Sequence, residues 1–413
     1  MLLLSFDGDG PMVDLTLTDA VPANPPRTAA RLHSIDAMRG LVIVLMALDH
    51  VRDFFHADAF VFGALDVDKT NVALYLTRWI THFCAPTFVF LAGASAFLHG
   101  RKLDDRMALS RFLFTRGLWL VVLEFTVIAA AWNFTMSDVG LQVIWALGIA
   151  MMTLAALVWL PFPAILAVGM LLVLGHNATD GIKPEMLGEW APLWRFLHAG
   201  GGVRFTDDYG VWVVYPVLPW IGLMALGYAA GPVFRQEPET RRKLFTTLGI
   251  VLIAAFFILR GTGWYGDPRA WTEHANVLAT LGDFFNVRKY PPSLLYLCIT
   301  MGPVLILLPR FEQLKGKFVA VLLTFGRVPL FVYVLHLYLA HVLMFLVSVA
   351  LGFPAGTAVG LMSNGKAVAA LGWGFPLPVV YLVWLLVLAI LYPACRWFGA
   401  VKRRRSDWWL SYL

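Results

Sequence analysis

Between Ser34 and His56 an otherwise apolar stretch carries Asp36, Arg39, Asp49, His50, Arg52, Asp53 and His56. A charge held at mid-bilayer costs roughly 2.5–3.5 kcal/mol, so a span with a purely structural task has no use for this set. The residue types suit proton transfer. Histidine takes up a proton near neutral pH. A neighbouring carboxylate, Asp49 or Asp53, can orient an imidazole and stabilise its cation. On a helix turning about 100° per residue, Arg39 and His50 fall about 20° apart on one face. Asp49, Asp53 and His56 follow the i, i+4, i+7 stripe of an adjoining face, with Arg52 beside them. The polar groups gather at the two ends of one side, and Leu41 to Leu48 fills the middle. Such a helix has to face a water-filled or protein-lined cavity. Solvated pairing beyond the membrane edge is the competing account of Arg52 and Asp53. His50, next to a long apolar run, is the sharper candidate.

A second candidate is Pro329-Leu-Phe-Val-Tyr-Val-Leu-His-Leu-Tyr-Leu-Ala-His341. His336 and His341 lie about 140° apart on a helix, so a zinc pair does not follow, and one of them rather than both enters a cavity. Tyr333, three residues before His336, is a partner for it; a packing role joining two helices is the alternative. Weaker signals are Arg78 and His82, Glu124, and Lys289-Tyr-Pro-Pro-Ser293. For Glu124 the simplest account is a pairing with an arginine such as Arg116. Nothing matches a Walker loop, a GxGxxG turn, a GxSxG elbow or a CxxC pair, which removes ATPases, nicotinamide enzymes, serine hydrolases and zinc ribbons.

The elements that must position these groups follow from composition. The chain has 413 residues, 59% apolar and only 14% charged, with a mean hydropathy of +0.72. That is outside the range of soluble domains and predicts an all-α polytopic membrane protein. Apolar windows fall near 37–56, 79–98, 112–132, 141–159, 163–176, 214–233, 244–261, 293–309, 328–350 and 377–398, about ten spans. Gly326-Arg-Val-Pro329 divides the last long run, so that 318–325 is expected along the interface. With the N-terminus inside, most of the 32 Lys and Arg residues fall in inner segments. This predicts an N-in/C-in topology in the cell membrane, with Lys402-Arg-Arg-Arg405 as a topology anchor and not a nucleic-acid patch. The polar, proline-bearing residues 1–30 read as a flexible cytoplasmic tail, 31–400 as the membrane domain and 401–413 as a basic cytoplasmic tail. The three cysteines sit within apolar segments and read as buried thiols.

Several stretches together resemble a known family. Ser34-Ile-Asp-Ala-Met-Arg-Gly40 followed by Asp49-His50 is similar to the first-span signature of transmembrane acyltransferases. More narrowly it resembles bacterial proteins with the heparan-α-glucosaminide N-acetyltransferase catalytic domain. Further matches in order are Arg78-Trp-Ile-Thr-His-Phe-Cys-Ala-Pro86, Phe88-Val-Phe-Leu-Ala-Gly93, Trp145-Ala-Leu-Gly148, Pro219-Trp-Ile-Gly222 with Gly227-Tyr228, Tyr290-Pro-Pro-Ser293, and Gly326-Arg-Val-Pro-Leu-Phe331 leading to His336. The resemblance implies transfer of an acetyl or other acyl group from cytoplasmic acetyl-CoA to an amine or hydroxyl of a sugar or glycan at the outer side, without a metal. It implies histidine as general base: His50 by the pattern of related polysaccharide O-acyltransferases, or His56 by the lysosomal pattern. Asp49 and His336 complete the catalytic candidates. Arg39, Arg78, Lys289 and Arg327 are the candidates for binding the cofactor. A proton-coupled transporter of a small metabolite or lipid-linked sugar is the rival class, and it would show two halves with matching broken helices. Expected partners are acyl-CoA, the acceptor and the lipid bilayer, not nucleic acid; a homodimer is one option.

Overall fold

The computed structural model describes residues 33–136, 138–207, 209–359, 361–405 and 407–412. The expected tail at 1–30 lies outside the described residues. The chain is mostly helical. Its helices are α1 (His33–Phe55), α2 (Val72–Leu103), α3 (Arg106–Asn133), α4 (Val143–Leu157), α5 (Phe162–Thr179), α6 (Leu218–Ala229) and α7 (Pro238–Thr262). They continue with α8 (Val277–Phe285), α9 (Leu294–Glu312), α10 (Lys317–Gly326), α11 (Pro329–Ala350), α12 (Leu361–Ala370) and α13 (Leu377–Arg404). Seven of them, α2, α3, α5, α7, α9, α11 and α13, are long and apolar enough to cross a membrane. The other three expected windows fall on α1, α4 and α6. Helix α1 has the length but carries five charged residues, while α4 and α6 have only 15 and 12 residues, short of the ~20 that span a bilayer.

Local signals set several helix starts. The Asn71 side chain accepts the Leu74 N–H at 3.0 Å to open α2. Asp105 accepts the Met107 N–H at 2.8 Å to open α3. Ser293 accepts the Tyr296 N–H at 3.0 Å to open α9. Each satisfies a donor that the first helical turn leaves without a partner. The hydroxyl ending Tyr290-Pro-Pro-Ser293 is thus a helix cap, held in turn by Asp267 at 2.7 Å. Helix α4 has no cap of its own. Its start is covered by Glu124 of α3, whose Oε2 accepts the Trp145 N–H at 2.7 Å, with the carboxylate at the positive end of the helix dipole. Glu124 therefore does not pair with Arg116, as the sequence suggested. Arg116 instead lies over the Phe112 and Tyr412 rings, 5.1 and 5.9 Å from their centroids.

Helix α1 runs through the middle of the bundle, packed by α2, α10, α11 and α13. Its tightest neighbour is α10, which buries Val319, Leu322 and Phe325. The stretch 318–325 is therefore a helix with one face packed against α1. Two glycines permit this approach: a Cβ on Gly40 would overlap the Leu322 carbonyl, and one on Gly326 would overlap the Asp36 carbonyl. Gly326→Ala should therefore force the two backbones apart and destabilise the fold by about 1–3 kcal/mol or more. A thermal melt in detergent checks this; an unshifted midpoint would contradict the close packing. Gly93 of α2 and Gly227 of α6 meet each other's helix in the same way.

One part of the chain departs from an all-α fold. Strands β1 (Asp138–Leu141), β2 (Gly201–Arg204) and β3 (Gly210–Val213) form a small sheet in the order β1-β3-β2. β1 pairs parallel to β3, with Asp138 opposite Gly210, and β2 pairs antiparallel to β3, with Gly201 opposite Val213. Val139, Leu141, Val203, Val211 and Val213 bury one face against Ala129, Phe125 and Trp145, while Trp212 points outward, the alternation a half-buried sheet requires. The strands are four residues long and lie in connections, so span-length hydropathy windows pass over them.

Candidate active site

The polar groups of α1 separate into two clusters, one at each end of the helix. At its N-terminal end, Arg39 donates to Ser95 Oγ at 2.6 Å and to the Leu91 carbonyl at 3.2 Å, with Asp36 3.8 Å away. Arg116 lies within electrostatic range of Arg39. Ser34 donates to Glu312 at 3.3 Å, Arg241 is ion-paired to the same Glu312, and Tyr412 donates to Thr115 at 3.1 Å. These bonds bring the starts of α1, α3 and α7 and the ends of α2, α9 and the chain to one end of the bundle. Arg327, half-buried, follows Gly326 at that same end.

The other end holds the second cluster. Asp49 accepts from Arg52 at 3.1 Å and from Arg78 of α2 at 3.2 Å, and Arg52 also reaches Asp53 at 2.5 Å. Arg78 donates further to Thr81 at 2.8 Å. Burial argues against a solvated rim for Arg52 and Asp49, which are 7% and 8% exposed, whereas the Asp53 side chain keeps 32% of its surface exposed. Lys289 is buried as well, its ammonium 5.1 Å from the centroid of the Tyr290 ring. His82 is buried against Tyr296, ring centroids 5.3 Å apart.

His50 lies beside this network but is not held by it. Its Nδ1 is 2.7 Å from Nε2 of His336, and the two rings are nearly parallel, 10° apart with centroids at 5.0 Å. Nδ1 of His336 is in turn 2.9 Å from the Val332 carbonyl. A carbonyl only accepts, so His336 carries its proton on Nδ1 and presents a lone pair at Nε2. His50 must then donate from Nδ1, which leaves the lone pair of its own Nε2 for chemistry. Among the described residues Nε2 of His50 has no hydrogen-bond partner. His50 is 8% exposed and His336 0%, so of the two only His50 can meet a substrate. The ring is closed in by Trp132 of α3 and Tyr333 of α11, both edge-on, with centroids at 5.0 and 6.1 Å.

The sequence candidates fall into place unevenly. The partner orienting His50 is a histidine and not a carboxylate: Asp49, taken as the orienting group, spends both oxygens on Arg52 and Arg78, because adjacent residues on a helix point about 100° apart. His336 joins the site, but Tyr333 is not its hydrogen-bond partner; a main-chain carbonyl is. His341 turns the other way, each ring nitrogen on a carbonyl, Ala131 at 2.7 Å and Ala358 at 2.6 Å, and its ring lies flat on Phe134 at 3.6 Å. His56 caps the turn after α1: its Nδ1 accepts the Asp58 N–H at 3.1 Å. That bond uses the lone pair of His56 and puts its proton on Nε2. Arg78 and Lys289 belong to the His50 end, whereas Arg39 and Arg327 belong to the opposite one. Trp132 was not singled out by sequence, since a tryptophan at the end of an apolar span reads as an interface anchor; only its position against His50 marks it.

The family model for the heparan-alpha-glucosaminide N-acetyltransferase catalytic domain matches residues 31–262. The chain belongs to this family. The match covers more than half of the chain, from α1 through α7. It therefore includes Arg39, His50, Arg78 and Trp132, whereas Lys289, Arg327, Tyr333 and His336 lie beyond it. No curated protein matches the chain. Membership in the heparan-alpha-glucosaminide N-acetyltransferase family accords with a histidine whose basic nitrogen is presented within a helical bundle.

Proposed function

We propose that this protein is a membrane acetyltransferase in which His50 is the general base and acetyl-CoA the acyl donor. The observation that carries the reading is the hydrogen bond from His50 Nδ1 to His336 Nε2, which leaves the Nε2 lone pair of His50 directed at chemistry. In the reaction the amine or hydroxyl of a sugar attacks the thioester carbonyl carbon while His50 Nε2 takes its proton. The tetrahedral intermediate collapses, the C–S bond breaks, and the thiolate recovers the proton from His50 as CoA leaves. His336 acts as a positioning residue, fixing the His50 tautomer through both halves of this cycle.

The donor enters at the Arg39 end. Arg39, Arg116 and Arg327 gather there, and guanidinium groups suit the phosphates of CoA. The excess of Lys and Arg in the segments assigned to that side supports a cytoplasmic position for it. His50 lies eleven residues further along α1, about 16 Å along the axis, a distance the extended pantetheine arm is suited to bridge. The acceptor then approaches from the end that holds Asp49, Arg78 and Lys289, which gives Arg78 and Lys289 a part in the acceptor side and not in holding CoA phosphates.

Purified protein incubated with acetyl-CoA and a panel of amino sugars and glycans should release free thiol only when an acceptor is present. Solute uptake into proteoliposomes without thioester cleavage would overturn the reading in favour of a transporter. Arg39→Ala should weaken CoA binding about 10- to 100-fold, the loss of one or two charge-assisted hydrogen bonds, whereas Arg78→Ala should leave CoA affinity unchanged. Calorimetric titration with CoA reads both.

A further inference from the structure

Resting on the acetyltransferase reading, we propose that the Tyr333 hydroxyl and the Trp132 indole N–H form the site that stabilises the oxyanion of the tetrahedral intermediate. Both side chains are buried, 3% and 4% exposed. Neither Tyr333 Oη nor Trp132 Nε1 has a hydrogen-bond partner among the described residues. A buried donor left without an acceptor costs about 1–3 kcal/mol, and most such groups in folded proteins are satisfied. Here two flank the same imidazole, Trp132 at 5.0 Å and Tyr333 at 6.1 Å between ring centroids, both with their planes nearly perpendicular to it. Each is held in place by packing: Trp132 stacks on Phe54 at 5.3 Å, and Tyr333 stands edge-on to His336 at 5.6 Å.

The chemistry calls for a pair of this kind. When the acceptor adds to the thioester, the carbonyl oxygen gains a full negative charge beside the atom that His50 has just helped to attack. Donors already fixed in a water-poor site lower that barrier without reorganising. A thioester carbonyl is also an acceptor only, and so is a fitting partner for two donors that lack one. Glu124 is the rival acceptor: it lies within electrostatic range of Tyr333, and its Oε1 is also without a partner. Its other oxygen, however, is committed to the start of α4.

Tyr333→Phe removes one oxygen atom from a packed ring and tests the proposal. Expected is a fall in kcat of about 10²–10³-fold, with the affinity for acetyl-CoA and the melting temperature unchanged. The thioether S-ethyl-CoA lacks the thioester carbonyl, so wild type and Tyr333→Phe should bind it equally. Trp132→Phe, which keeps the stack on Phe54, should lower kcat in the same sense. Wild-type turnover in Tyr333→Phe, alongside an inactive His50→Ala, would overturn the oxyanion site and leave the base intact. Weakened binding of S-ethyl-CoA, or the same loss of kcat in Glu124→Gln, would overturn it by showing a structural role instead. Absence of thioester cleavage by the wild type would instead remove the underlying acetyltransferase reading.

Discussion

Replacing His50 by alanine is expected to lower turnover by about 10²–10⁴-fold, the loss typical of a missing general base. The affinity for CoA should not change, because the arginines proposed to hold its phosphates lie about 16 Å away along α1. The pH profile of kcat/KM should lose its acid limb in the same variant, since that limb reports the base of the free enzyme. His56→Ala is the comparison. Its Nδ1 lone pair is bound by the Asp58 N–H, so turnover should stay near the wild-type value, with at most a lower melting temperature from the frayed turn. An active His50→Ala beside an inactive but folded His56→Ala would reverse the assignment.

The second large effect is expected at His336, which is fully buried and reaches His50 through its Nε2. Without the acceptor at 2.7 Å, His50 is free to rotate and to carry its proton on either nitrogen. In serine proteases, the corresponding loss of tautomer control costs about 10⁴ in kcat. His336→Ala should therefore approach His50→Ala in severity, with unchanged CoA affinity; a residue that only oriented substrate would show a milder loss. His336→Gln supplies a different test, because its amide oxygen can accept the His50 Nδ1 proton, and should restore part of the activity. Equal activity of the Ala and Gln variants would show that the hydrogen bond does not matter. Steady-state kcat and KM, measured together, separate positioning from binding.

Much of the helical scaffold was legible because membrane helices announce themselves through local composition. Each of the ten apolar windows coincides with a helix, and the charges on the first of them singled out α1. The cost of burying a charge is local physics, so Asp49, His50 and Arg39 stood out without any knowledge of their neighbours. His336 stood out for the same reason. What they touch was not legible. Asp49 and Asp53 are the carboxylates nearest to His50 in the chain, but the partner of His50 is brought by α11, 286 residues away. Glu124 looked like half of an ion pair and is the cap of another helix, a role that depends on where α4 begins relative to α3. The sheet escaped because its strands are short and its register joins two connections far apart in the chain.

Three things could be read from the chain alone: a mostly helical protein with apolar segments long enough to cross a membrane, a first segment set apart by its charges, and a resemblance to a family of acetyltransferases. These follow from hydropathy, from the penalty on intramembrane charge and from the order of short motifs. Only the tertiary structure decided which nitrogen of His50 is basic. That depends on a chain of two hydrogen bonds, from His50 to His336 and from His336 to the Val332 carbonyl, and a tautomer is a property of partners rather than of the residue. The tertiary structure likewise separated Arg39 from Arg78 and Lys289, and set Tyr333 and Trp132 both edge-on to one imidazole. At the opposite end of α1, Gly40 and Gly326 let the backbones of α1 and α10 approach, a close contact that no one-dimensional pattern records.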